Sequence, residues 1–129
     1  MKYFTSKILK NISFNDAIEK VTQALKDQGF GVLTEIDVKE TLKKKLDVDF
    51  QPYRILGACN PPFAYKALQA ENKIGVMLPC NVVVQGLPDG SVEVTAIDPI
   101  ASMMAVENAS LGEIAGEVKG KLEKVIEVL

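Results

Sequence analysis

The segment from Ser110 to Leu129 constrains the fold more than any other stretch. Leu111, Ile114, Ala115, Val118, Leu122, Val125, Ile126 and Leu129 recur at three- and four-residue spacing, the period of one helix face. Ser110 and Glu113 read as a capping box at its start. Glu117 and Lys121 stand four residues apart on the opposite face, as an ion pair would. A helix of about 20 residues spans roughly 30 Å, enough to lie across a whole sheet. The chain before it supplies that sheet. Val82-Val83-Val84 and the alternating Ser91 to Ile97 flank Leu87-Pro88-Asp89-Gly90, a strong turn signal, and predict an antiparallel hairpin. A long apolar stripe beside a one-sided hairpin predicts an α+β fold: an antiparallel sheet packed against a long C-terminal helix, with further helices between strands.

The upstream sequence repeats the same alternation of elements. Lys2 to Leu9 reads as a strand with Phe4, Ser6 and Ile8 on one face. Ser13 is an N-cap for a helix carrying Phe14, Ala17, Ile18, Val21, Ala24 and Leu25, which Gly29 ends. Gly31 to Ile36 is the next strand. Asp37 and Glu40 cap a second helix whose stripe, Val38, Leu42 and Leu46, is thin, with Lys43-Lys44-Lys45 on its solvated side. With 129 residues and neither a linker nor a repeat, the chain is a single domain, 1–129, large enough for a core of its own.

Composition narrows the functions. The formal charge is −2, so nothing in the overall balance favours nucleic acid. No apolar run reaches the roughly 20 residues that cross a membrane, and the start lacks the apolar block of a signal peptide. A cytoplasmic location is expected, with both cysteines as reduced thiols. The chain contains no histidine, which removes Ser-His-Asp and Cys-His catalysis and the commonest zinc ligand.

The chemistry-bearing residues concentrate between Tyr53 and Val84. Tyr53 to Ala58 is a strand leading into Cys59. Asn60 is a good cap residue and Pro61 fits the first helical position, opening a helix to about Glu71 that buries Ala64, Ala67 and Leu68. Pro79-Cys80-Asn81 follows at a proline-marked break in the strand order. Cys59 lies just outside a helix N-terminus, where a thiolate is favoured unless burial opposes it; a small buried apolar residue at a strand end explains it as well or better. Two thiols brought face to face would form a redox pair or half of a soft metal site, with Asp98 as a third ligand. Asp98 before Pro99 serves equally as a helix cap. Asn60 and Asn81 could offer amides to an anion or carbonyl beside a thiol, though capping and turn chemistry suit Asn60 better. Tyr53 and Tyr65 could edge a pocket. Ile100, Ala101, Met103, Met104, Ala105 and Val106 form an apolar stretch suited to a core plug, a ligand cavity or a contact between two copies, and a homodimer is the expected assembly.

Tyr53-Arg54-Ile55-Leu56-Gly57-Ala58-Cys59-Asn60-Pro61, Leu78-Pro79-Cys80-Asn81-Val82 and Asp98-Pro99 together resemble the domain-of-unknown-function family 302. The resemblance covers most of the chain. It implies a compact α+β domain with an antiparallel sheet against a long final helix, often dimeric, and no established activity. Cys59, Pro61, Pro79, Cys80, Asp98 and Pro99 carry over by position, and Asn81 matches more loosely.

Three functions compete. The first is a thiol-based module, redox-responsive or metal-binding, using Cys59 and Cys80. The second is a module that holds a small apolar ligand between the sheet and the final helix. The third is a structural or interaction domain. Enzyme catalysis ranks below them, because no nucleophile–base pair, phosphate loop or carboxylate dyad stands out. The cofactor, if any, is unknown from sequence.

Overall fold

The fold is built on a five-stranded antiparallel sheet in the order β1-β5-β4-β3-β2. The structure, a computed structural model, describes residues 2–129. The strands are β1 (Phe4–Leu9), β2 (Gly31–Asp37), β3 (Tyr53–Cys59), β4 (Cys80–Gly86) and β5 (Val92–Ile97). The helices are α1 (Phe14–Asp27), α2 (Val38–Leu46), α3 (Pro61–Ala70), α4 (Pro99–Met103) and α5 (Ala109–Glu127), with a 3₁₀ turn at Ile74–Met77. None of the described helices is long and apolar enough to cross a membrane.

Alternation divides the sheet into two faces. Leu9, Leu56, Ala58, Val82, Val84, Val92, Val94 and Ala96 are buried on the inner face. α5 covers it with Val118, Leu122, Val125 and Ile126, and α1 with Ala17, Val21, Ala24 and Leu25. The β4–β5 hairpin forms in the register expected from the alternation, with Val84 opposite Val94. Phe4, Ser6 and Ile8 do share a face of β1, and it is the outer one, since Leu9 pairs with buried Val92.

β1 and β2 are consecutive strands of the chain yet occupy opposite edges of the sheet. α1 makes the crossing. Its 14 residues reach about 21 Å at 1.5 Å per residue, and four inter-strand gaps of about 4.8 Å add to roughly 19 Å. The helix is thus as long as the sheet is wide.

Local chemistry sets the ends of the elements. The Ser13 hydroxyl accepts from the Asp16 amide at 3.1 Å, and an Asp37 carboxylate oxygen accepts from the Glu40 amide at 3.0 Å, as the caps predict. α5 starts two residues earlier than its capping box implies. Asn108 is the N-cap, accepting from the Ser110 amide at 3.1 Å while donating to the Ala70 carbonyl at 2.8 Å. Gly29 turns out of α1 at φ 84°, a left-handed conformation that glycine adopts without steric cost. At Gly57 the requirement is space. A Cβ there would collide with the Thr34 hydroxyl and come within 2.8 Å of the Pro79 ring, so β2 and the start of β4 close over a bare backbone.

Candidate functional site

β3 ends at Cys59 and β4 begins at Cys80, beneath α3 and the first half of α5. The strand ends, α3, α4 and α5 do not close on one another there, and a cavity of about 310 Å³ remains. Phe30, Ala58, Cys80 and Leu78 form its floor and lower wall. Phe63, Ala64, Ala67 and Leu68 come from α3, Pro99 and Met103 from α4, and Leu111, Ile114, Ala115 and Val118 from α5. No lining residue carries a charge, and the polar ones are Thr34, Cys59, Asn60 and Cys80.

Small residues make the space. Ala58, Ala67 and Ala115 are buried where the elements approach, and a longer side chain at any of them would fill the opening. α3 presents less of itself to the core than its sequence suggests. Only Ala67 is buried, and Leu68 is 43% exposed at the cavity mouth.

Cys59, Asn60 and Cys80 are brought together around this cavity, while Asn81 and Asp98 are not among its lining residues. The two thiols do not close on each other. Cys80 lies opposite Ala58, and Cys59 is paired with Gly31 on the other neighbouring strand. The register that puts Cys80 beside Ala58 thus leaves Cys59 without Cys80 as its cross-strand partner. Both cysteines are free. Burial, and secondarily the negative charge of a Cys59 thiolate, push the Cys80 thiol up to about 11. At pH 7 that leaves about one part in ten thousand as thiolate, the nucleophilic and metal-binding form.

Asn60 does occupy the N-cap position of α3, but its side chain makes no capping bond. Its amide donates instead to the Gln28 carbonyl at 3.4 Å and tethers the end of α1 to the cavity rim. Asn81 lies on the exposed outer side, opposite Gly57. Asp98 is a cap. One carboxylate oxygen accepts from the Ile100 amide at 2.9 Å and the Ala101 amide at 3.4 Å, and the other meets Lys119 Nζ at 3.0 Å. Asp98 is thereby committed to α4 and α5 and cannot serve as a third ligand to the cysteines. Among the described residues no group of three or more His, Cys, Asp or Glu side chains is placed to hold a metal ion. Tyr53 and Tyr65 lie away from the cavity, and Tyr65 is exposed.

Sequence reasoning missed Phe30 and Phe63 as site residues. The signal for Phe63 was its place one turn before Ala67 on the same helix; Phe30, next to a glycine between two elements, carried none. Lys121 is also placed differently from its expected ion pair, with its ammonium over the Phe63 ring at 5.9 Å. A weak cation–π contact of this kind props the ring against the cavity.

A crystal structure described as an uncharacterized conserved protein DUF302 from Bacillus stearothermophilus has the same architecture. The TM-score is 0.89 at 29% sequence identity, covering 98% of this chain and 98% of that one. No curated protein matches the chain. The family model described as domain of unknown function DUF302 matches residues 5–129, nearly the whole sheet and all five helices, and the protein therefore belongs to the DUF302 family.

Proposed function

We propose that the protein binds a small, uncharged, apolar ligand in the cavity between the strand ends, α3 and α5. One observation carries this reading: about 310 Å³ of space is walled by aliphatic, aromatic and thioether groups with no charged side chain. That volume equals about ten waters. A bound water needs two to four polar partners, and the wall offers a hydroxyl, two thiols and an amide already engaged with Gln28. Water fills such a space poorly, so an apolar occupant gains the hydrophobic free energy of displacing it. The volume sits at the lower end of the small-molecule range, which suits a compact ligand. The thiol-based reading draws less support, because Cys80 is held in its protonated form and the carboxylate nearest in sequence logic, Asp98, is spent on a helix cap. A cytoplasmic setting fits two free thiols.

The test uses the neutral probe N-phenyl-1-naphthylamine. Its fluorescence should rise saturably at one site per chain. Ala115→Phe, which puts a ring into the cavity from α5, should weaken binding at least about tenfold while circular dichroism stays unchanged. If that variant misfolds, Ala67→Leu fills the same space from α3. Equal binding by parent and filled variants, or no saturable binding by the parent, overturns the reading.

A further inference from the structure

We propose that the occupant of the cavity is a neutral alcohol or phenol whose hydroxyl donates to the side-chain carbonyl of Asn60, so that Asn60 selects the ligand. This choice of class rests on the ligand-binding reading above and narrows it. Asn60 is 8% exposed and, among the described residues, shares deep burial of a polar side chain with Ser91 alone. Ser91 is satisfied: its amide and its hydroxyl both donate to Asp89. Asn60 is satisfied at one atom. Its Nδ2 donates to the Gln28 carbonyl at 3.4 Å, and a Cβ on Gly29 would stand 3.2 Å from that nitrogen. A backbone carbonyl accepts and cannot donate, so this bond fixes which end of the amide carries the hydrogens. The nitrogen is turned to the end of α1, and Oδ1 accepts no hydrogen bond from any described residue.

Roughly 90% or more of buried polar groups in folded proteins are paired, so an amide oxygen left over at a cavity wall calls for a donor from inside the cavity. Asn60 lines that wall. Its polar neighbours there do not supply the bond. The thiols of Cys59 and Cys80 are weak donors, and the Thr34 hydroxyl lies over Gly57 on the adjoining strand.

Charge and the helix end narrow the class. No lining residue is charged, so neither an ammonium nor a carboxylate finds a counter-ion, and burying an unpaired charge is costly. A helix N-terminus ordinarily attracts an anion through its free amides. α3 opens with Pro61 and Pro62, which carry no N–H, and Ala64 donates to the Asn60 backbone carbonyl. That leaves the Phe63 amide alone at the helix end, too little for an anion. A ketone, ester or ether brings only acceptors and sets oxygen against oxygen at Asn60. A hydroxyl donates to Oδ1 and keeps its lone pairs for a donor. Phe30 and Phe63 on the wall suit an aromatic body for it.

Naphthalene, 2-naphthol, 2-methoxynaphthalene and 2-naphthoate share one ring system and test the hydroxyl. Each displaces N-phenyl-1-naphthylamine, whose own affinity is measured for every variant. 2-Naphthol should bind the parent about tenfold more tightly than naphthalene or the methyl ether, the order of one hydrogen bond, and 2-naphthoate should not compete. Asn60→Leu replaces the amide with an apolar side chain of similar size. In it 2-naphthol should lose its advantage while naphthalene binds as before. That change of ratio separates a ligand contact from the tether to Gln28, whose loss alone weakens both equally. Should Asn60→Leu fail to fold, the parent's own preference decides. A parent that binds naphthalene and 2-naphthol equally, at a site Ala115→Phe blocks, overturns the hydroxyl and leaves the apolar-ligand reading standing. A folded Asn60→Leu that keeps the tenfold preference overturns the role of Asn60. No saturable binding of any of the four overturns both readings.

Discussion

At Asp98 one carboxylate joins α4 and α5, the two helices that follow the last strand. Burial alone pushes its pKa up, but the Lys119 hydrogen bond and the Ala101 and Ile100 amides outweigh that and hold it below the ordinary 3.8. A carboxyl whose folded pKa is depressed contributes stability above its unfolded value and loses it as pH falls through the folded one. Asp98→Ala should therefore cost about 1–2 kcal/mol at pH 7 and narrow the gap to the parent below pH 3.8. Asp98→Asn should keep part of the cap and fall between them; urea denaturation at pH 7 and pH 3 measures all three. The cap was legible because Asp-Pro is a local signal, complete within four residues. Asn60 showed the limit of such signals. It has the right type and position, but its amide finds the Gln28 carbonyl, 32 residues away, and no local pattern announces that competition.

Helix α5 made the fold readable, because a stripe of eight apolar positions needs an equally long surface to cover it. Leu122 is 1% exposed at its centre. Leu122→Ala should cost about 2–5 kcal/mol through lost burial and a cavity, and Leu122→Asp should abolish the folded state by burying an unpaired charge. Melting curves decide, and a Leu122→Asp midpoint within a degree or two of the parent would contradict the packing. Element boundaries were less legible than element identity. Asn108 and Ser110 are both good caps two residues apart, and the choice of Asn108 follows from its second bond to Ala70 on α3. The stripe of α2 was read correctly as thin: Val38 and Leu42 are only half-buried and Leu46 is exposed.

At the scale of the molecule, the cavity was legible only as one alternative among three, since its wall draws on residues from Phe30 to Val118. The cysteine pairing failed for a related reason: nearness in sequence logic does not fix register, and one residue of offset put Ala58 where Cys59 was expected. The length of α1 carries a different consequence, for how the fold opens. Edge strands ordinarily fray singly and cheaply. Here each edge is continuous with an end of the same 14-residue helix, which is as long as the sheet is wide and rooted by Val21 and Leu25, both 0% exposed. Lifting one edge far enough to disturb that helix loosens the anchor of the other. In native-state hydrogen exchange, the amides of β1 and β2 adjoining α1 should share one opening free energy although they lie at opposite margins of the sheet. Val21→Ala should lower protection at both margins by the same factor, so that the two rims of the molecule breathe as one unit.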